Sequence, residues 1–127
     1  MLITHAVALG GNVSENKTVT IKYTDTAKYS VKDIANFLRT KDIDPLSIIN
    51  DFISEFESNV SIFPLASPIS FQLSKIGVFE YRECNTKNGY KILYTVDSET
   101  DVVVHVILNQ RQDIQALFLK RMIEYQI

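Results

Sequence analysis

Lys91, in the run Tyr90-Lys91-Ile92-Leu93-Tyr94, and Arg111, in Leu108-Asn109-Gln110-Arg111-Gln112-Asp113, belong to a set of positive side chains spread through the C-terminal half, with Lys75, Arg82, Lys87, Lys120 and Arg121. Preorganised cations of this kind stabilise an anionic transition state. His105 lies between Lys91 and Arg111 and titrates near neutrality. It sits inside a valine-rich strand, however, where an imidazole is more often a packing residue than a base. No second metal-type ligand accompanies it at a useful spacing, and His5 lies far away in the leader. Glu80 and Glu83 fall on opposite faces of an extended chain and form no acid/base pair. Cys84 has no CxxC partner and no activating base nearby, so a passive thiol is expected. Tyr90 and Tyr94 share one strand face and read as packing residues. Arg82 and Lys91 read either as an ordinary cross-strand pair or as target contacts. The chain has no P-loop, GxGxxG or GxSxG, and hence no cofactor is expected.

The elements that must hold these residues are legible from periodicity. Residues 77–108 contain three consecutive strands, rich in Val, Ile, Tyr and Phe, joined by turns at Asn88-Gly89 and at Asp97-Ser98-Glu99-Thr100. Along the third strand Val102, Val104, Val106 and Leu108 should point one way and Val103, His105 and Ile107 the other. Both sets are apolar enough for a central position in a sheet. Upstream, Thr18 to Tyr23 alternates as a half-buried strand. Ser30, with Asp33 three residues on, predicts the start of a first helix whose stripe is Val31, Ile34, Ala35 and Leu38, ending near Arg39. Asp44-Pro45 starts a second helix, with Ile49, Phe52, Ile53, Phe56 and Val60 inward, which must stop before Pro64. The short link makes the two an antiparallel hairpin. Phe71 and Leu73 suggest a short strand or bulge. Asp113 caps a last helix with Ile114, Leu117, Phe118 and Met122 as its buried face. The fold class expected is α+β, in the order β-α-α-β-β-β-α, with the helical hairpin packed on a mostly antiparallel sheet.

Composition narrows the function classes. A chain of 127 residues suits one domain with a single core. Its formal net charge is −2, whereas a protein living on phosphate backbone carries a clear basic excess, so direct nucleic-acid binding is not favoured. The lone cysteine points to a reducing, cytoplasmic setting. No apolar run approaches a membrane span. Residues 1–17 lack the positive start of a secretory signal and carry Gly10 and Gly11, so they read as a flexible extension ahead of a domain at 18–127.

Phe79-Glu80-Tyr81-Arg82-Glu83, Tyr90-Lys91-Ile92-Leu93-Tyr94 and Leu108-Asn109-Gln110-Arg111-Gln112-Asp113, taken with the element order, resemble the RelE/ParE superfamily of small bacterial toxins over about residues 18–125. The last two stretches are similar to the family's "YRxxY" strand and its C-terminal "hxxRD" segment. The resemblance implies a type II toxin–antitoxin system, with a cognate antitoxin protein as partner. One branch of the superfamily cleaves messenger RNA on the ribosome, using basic residues on the sheet; Lys91 stands where that branch has arginine and Arg111 matches its second cation. At the spacing of the branch's late tyrosine this chain has Leu117 or Phe118, which transfer no proton, and Tyr125 lies two helical turns further on. The other branch, ParE-like, inhibits DNA gyrase without catalysis and is the preferred reading. A ribosome-dependent endoribonuclease and a non-catalytic interaction module are the alternatives. In the ParE-like reading Arg82, Lys91, Arg111, Lys120 and Arg121 contact the target, and Ile34, Leu38, Ile49, Phe52 and Phe56 receive the antitoxin.

Overall fold

The computed structural model describes residues 3–8 (backbone), 18–111, 113–117 and 119–120. Its elements are β1 (Ile3–Ala8), β2 (Thr18–Tyr23), α1 (Asp25–Thr40), α2 (Pro45–Ile62), α3 (Phe71–Ser74), β3 (Arg82–Asn85), β4 (Tyr90–Ser98) and β5 (Asp101–Asn109). Helical turns follow at residues 114–117 and 119–120. The strands form one sheet in the order β1-β2-β5-β4-β3. All neighbours are antiparallel except β2 and β5, which run parallel. The α1–α2 hairpin packs on this sheet, as the hydrophobic periodicity predicts.

The leader departs from expectation. Residues 3–8 are not a loose extension but an edge strand, paired with β2 from Ile3↔Tyr23 to Ala8↔Thr18. A strand with one neighbour leaves a full row of N–H and C=O groups open, and β1 satisfies that row on β2. Gly10 and Gly11 lie outside the described residues.

α1 also starts earlier than Ser30. Thr24 is the N-cap: its backbone is extended and its hydroxyl accepts a hydrogen bond from the Ala27 N–H at 3.1 Å. Asp25 in the first turn adds a favourable charge at the helix's positive end. Ser30 is interior, donating to the Ala27 carbonyl at 2.6 Å and accepting from the Ile107 N–H at 3.0 Å. It therefore joins helix to sheet instead of opening the helix. α2 begins and ends where Asp44-Pro45 and Pro64 predict, with the Asp44 carboxylate accepting from the Leu46 N–H at 3.1 Å.

Phe71 and Leu73 lie in a single helical turn, not a strand, because Ser70 caps it and accepts from the Leu73 N–H. Gly77 then takes φ +83° and the Val78 N–H returns to the Leu73 carbonyl at 3.0 Å. The chain is still turning there, so β3 begins only at Arg82, five residues after the position predicted for the first of the three strands.

Two bulges reshape the central hairpin. Pairing steps from Leu93↔Val106 to Tyr94↔Val104, which leaves His105 as an extra residue on β5. It steps again from Val96↔Val102 to Ser98↔Asp101, which leaves Asp97 extra on β4. A bulge breaks simple alternation. Val102, Val104 and Ile107 consequently share the helix-facing core with Tyr90, Ile92 and Tyr94. Val106 turns to the other face with Leu93 and Leu108, against Leu73, Ile114, Val78, Tyr81 and Leu117. The single alternation expected for β5 holds only up to the bulge.

Phe52 and Phe56 carry the hairpin's side of the larger core. Phe52 lies on Tyr90 with ring centroids 4.7 Å apart, and Phe56 meets Tyr94 edge-on at 5.3 Å. Two tyrosine hydroxyls at the edge of this core are matched: Tyr23 donates to the Glu57 carboxylate at 2.6 Å, and Tyr94 donates to the Pro64 carbonyl at 2.8 Å. Asp113 caps the C-terminal helix as predicted, accepting from the Ala116 N–H at 3.1 Å.

Replacing Ser30 by alanine removes the acceptor of the Ile107 N–H at a partly buried site. Urea unfolding should show a loss of about 1–2 kcal/mol with an unchanged denaturant slope.

Candidate functional site

The geometry that distinguishes this molecule lies where β5 outruns its neighbour. β2 pairs with β5 only over Thr20–Tyr23 and Asp101–Val104. At Thr24 the chain turns away into α1, with the Thr24 N–H on the Val104 carbonyl at 3.1 Å and its hydroxyl on the His105 carbonyl at 3.1 Å. Residues 105–109 of β5 continue past that point with no strand on that side among the described residues. α1 runs beside them, and the space between is a groove of about 440 Å³. Ser30, Asp33, Ile34 and Phe37 form its helical wall, and Val106 to Asn109 its strand wall, with Tyr90, Arg111 and Leu117 completing it. Its walls are mainly apolar, and it carries one anion, Asp33, and one cation, Arg111. Phe37 is 59% exposed on this rim. An apolar trough of this kind can receive an extended or helical peptide segment.

The residues expected to receive a protein partner are mostly elsewhere. Phe52 and Phe56 are fully buried and Leu38 nearly so, while Ile34 and Ile49 are partly buried against the same core. The hairpin's apolar stripe is consumed by the sheet, so it cannot also be the docking surface. Of the five, only Ile34 reaches the groove. The groove's aromatic, Phe37, lies off the stripe that periodicity picks out. The available signal was an aromatic residue on a helix's polar side, at Tyr29 and Phe37.

The cations expected to contact a target are dispersed. Arg82 is a tether: its guanidinium donates to the carbonyls of Ser67 at 2.7 Å and Leu65 at 3.3 Å. Lys91 is not opposite Arg82, which faces Tyr94 across the ladder. Instead Lys91 pairs with Glu83 at 3.9 Å, with both side chains about nine-tenths covered. Ser70 and Asn85 hold that carboxylate in turn, at 3.3 and 3.1 Å. Arg111 and Lys120 are exposed. Arg121 lies outside the described residues, as do Phe118 and Met122.

His105 is a structural residue. The Thr95 hydroxyl lies 2.9 Å from its Nε2 and 2.9 Å from the Asp97 carboxylate. The carboxylate can only accept, so the hydroxyl's one proton goes to Asp97 and His105 Nε2 must be the N–H donor to Thr95. The ring also stands edge-on to Tyr81 at 5.1 Å. Burial holds its pKa below the usual value, and the Asp97 charge offsets this only in part. Burial likewise pushes the Cys84 thiol up, against hydrogen bonds from Ser67 and Asn59, so it carries no reactive thiolate. Among the described residues no cluster of His, Cys, Asp and Glu could hold a metal ion, and no helix is long and apolar enough to cross a membrane.

No family model matches the chain, and no curated protein matches it.

The His105 environment gives a pH dependence of stability. Above the ordinary imidazole pKa of 6.5 the ring is neutral whether the chain is folded or not. As pH falls through that value the unfolded chain binds a proton that the folded chain resists, so stability drops until the folded ring also protonates. Urea melts at descending pH should show this loss, and His105→Gln should remove that component of it.

Proposed function

We propose that this protein is a ParE-like toxin of the RelE/ParE superfamily, which arrests growth by binding DNA gyrase and is neutralised by a cognate antitoxin. The observation that carries the choice of branch is Lys91. At the position where the ribonuclease branch presents an arginine, this chain has a lysine tied to Glu83 and largely covered. A cation already paired with a largely covered carboxylate presents a weaker net field to a phosphate. Inhibition by binding needs no such group. The hairpin-on-sheet architecture and the helix after β5 support the same reading.

The groove beside α1 is the natural seat for the antitoxin segment. Its apolar walls suit the apolar face of an amphipathic segment. Arg111 lines that groove and is also an exposed cation available to an acidic target. A segment seated there would cover Arg111, which gives neutralisation a steric basis. Ile114 is fully buried, so the start of the C-terminal helix is structural and cannot be removed without damage to the second core. Target contact is therefore assigned to exposed Arg111 and Lys120.

Expression of the full chain should arrest growth, and purified protein should inhibit gyrase supercoiling in vitro. Arg111→Glu with Lys120→Glu should weaken inhibition and flatten the salt dependence of the association rate, with an unchanged thermal melt. Codon-specific messenger RNA cleavage on translating ribosomes, lost on Arg111→Ala, would overturn the proposal in favour of the ribonuclease branch. For the groove, Phe37→Glu should weaken antitoxin binding by about tenfold or more, the scale of one lost apolar anchor. The same variant should leave gyrase inhibition intact.

A further inference from the structure

The connector between α2 and β3 presents a second surface. Ile62, Phe63, Leu65, Phe71, Ile76 and Phe79 all lie along it, each between 38% and 72% exposed. With roughly 200 Å² on each aromatic side chain, together they expose on the order of 600 Å² of apolar area. That is the upper end of what a monomer's largest patch carries, about 300–600 Å². The segment is not free to fold inward. Arg82 holds the carbonyls of Leu65 and Ser67, Tyr94 holds that of Pro64, the Ser70 N–H bonds to the Tyr81 carbonyl, and the Glu83 N–H bonds to that of Pro68. These bonds fix the connector along the outer edge of β3 with its large side chains facing solvent.

We propose that this ridge is the interface of a two-fold symmetric dimer of the chain. Two observations select a second copy as the occupant. A standard interface buries about 800 Å² per partner, about 65% of it apolar between identical chains, and the ridge supplies that amount. Its charge is also self-complementary. Between residues 62 and 80 the only charged side chains are Lys75 and Glu80. A two-fold arrangement that sets Lys75 of one copy opposite Glu80 of the other makes the same opposite-charge pair twice, and this is the arrangement proposed. Lys75 already lies over the Phe71 ring at 4.6 Å, which places the cation within the apolar surface instead of at a distance from it. The groove beside α1 is separated from this ridge by β4 and β3, so the dimer leaves both grooves open.

Sedimentation velocity of the full-length protein, from low to high micromolar concentration, tests the assignment. The expected result is a reversible monomer–dimer equilibrium. Phe71→Gln with Phe79→Gln changes only exposed positions and should give a monomer with an unchanged thermal melt. Glu80→Lys should weaken the dimer by about tenfold, and Lys75→Glu added to it should restore association. A monomer at every concentration would overturn the proposal. So would an open-ended series of oligomers, or a double charge swap that fails to recover the dimer.

Discussion

The parallel pairing of β2 with β5 is the constraint on which the other features depend. Antiparallel strands can be joined by a tight turn, but a parallel pair requires a crossover of a dozen or more residues. Here α1, α2, the connector and the β3–β4 hairpin all lie between the two paired strands. The pairing is short, and Thr24 ends it with three hydrogen bonds. Its N–H takes the Val104 carbonyl, its hydroxyl donates to the His105 carbonyl, and the same oxygen caps α1 through the Ala27 N–H. One residue thus stops the ladder, starts the helix and sets the helix against the strand. Ser30, two turns into α1, repeats the device by accepting from Ile107. The groove exists because Thr24 turns the chain away while β5 continues.

The two bulges in the central hairpin are coupled. Asp97 is the extra residue on β4 and His105 the extra residue on β5, and the Thr95 hydroxyl hydrogen-bonds to both. Each bulge costs a ladder position, and the side-chain bridge partly offsets that cost where backbone pairing is lost. The gain is in packing. Without the His105 insertion, Val106 and Leu108 would follow Val102 and Val104 into the helix-facing core. With it, they turn to the opposite face and meet Leu73 and Ile114. The sheet can therefore be covered on both sides, by the hairpin on one and by α3 with the C-terminal helix on the other. This explains why an imidazole sits in a strand of valines: it is a ring that can both pack against Tyr81 and hydrogen-bond to Thr95.

Much of this was legible in sequence because the signals were local. Asp44-Pro45 starts α2, Asn88-Gly89 turns β3 into β4 with Gly89 at φ +91°, and the alternation of Thr18 to Tyr23 marks β2. What was not legible depends on partners distant in sequence. Ser30 looks like a cap because serine commonly caps, yet its acceptor is used by a strand 77 residues later. β1 has little propensity signal of its own and is specified by the open edge of β2. The site residues divide in the same way. Lys91 reads as a candidate cation until the register places Glu83 beside it. Phe37 reads as a stray aromatic until β5 is known to run past β2. Leu38, Phe52 and Phe56 read as a binding face because a stripe is apolar whether a sheet or another protein covers it.

The distribution of charge gives these surfaces a common logic. A net charge of −2 offers no long-range pull towards polyanions. Two of the central cations are moreover committed internally, Arg82 to carbonyls and Lys91 to a carboxylate. Recognition of the kind proposed would rest on apolar area with charge as a local determinant, which is how protein interfaces are built. The groove and the connector ridge both fit that description, each with one cation and one anion on a mainly apolar surface. They differ in what they offer beside it. The groove is a concave trough between a helix and a strand, which favours a short segment that orders on binding. The ridge has its backbone groups already tied to β3, so it offers side chains alone and suits a folded surface. On the proposed readings, a flexible partner in the groove and a folded one on the ridge would not compete, because β4 and β3 lie between the two surfaces.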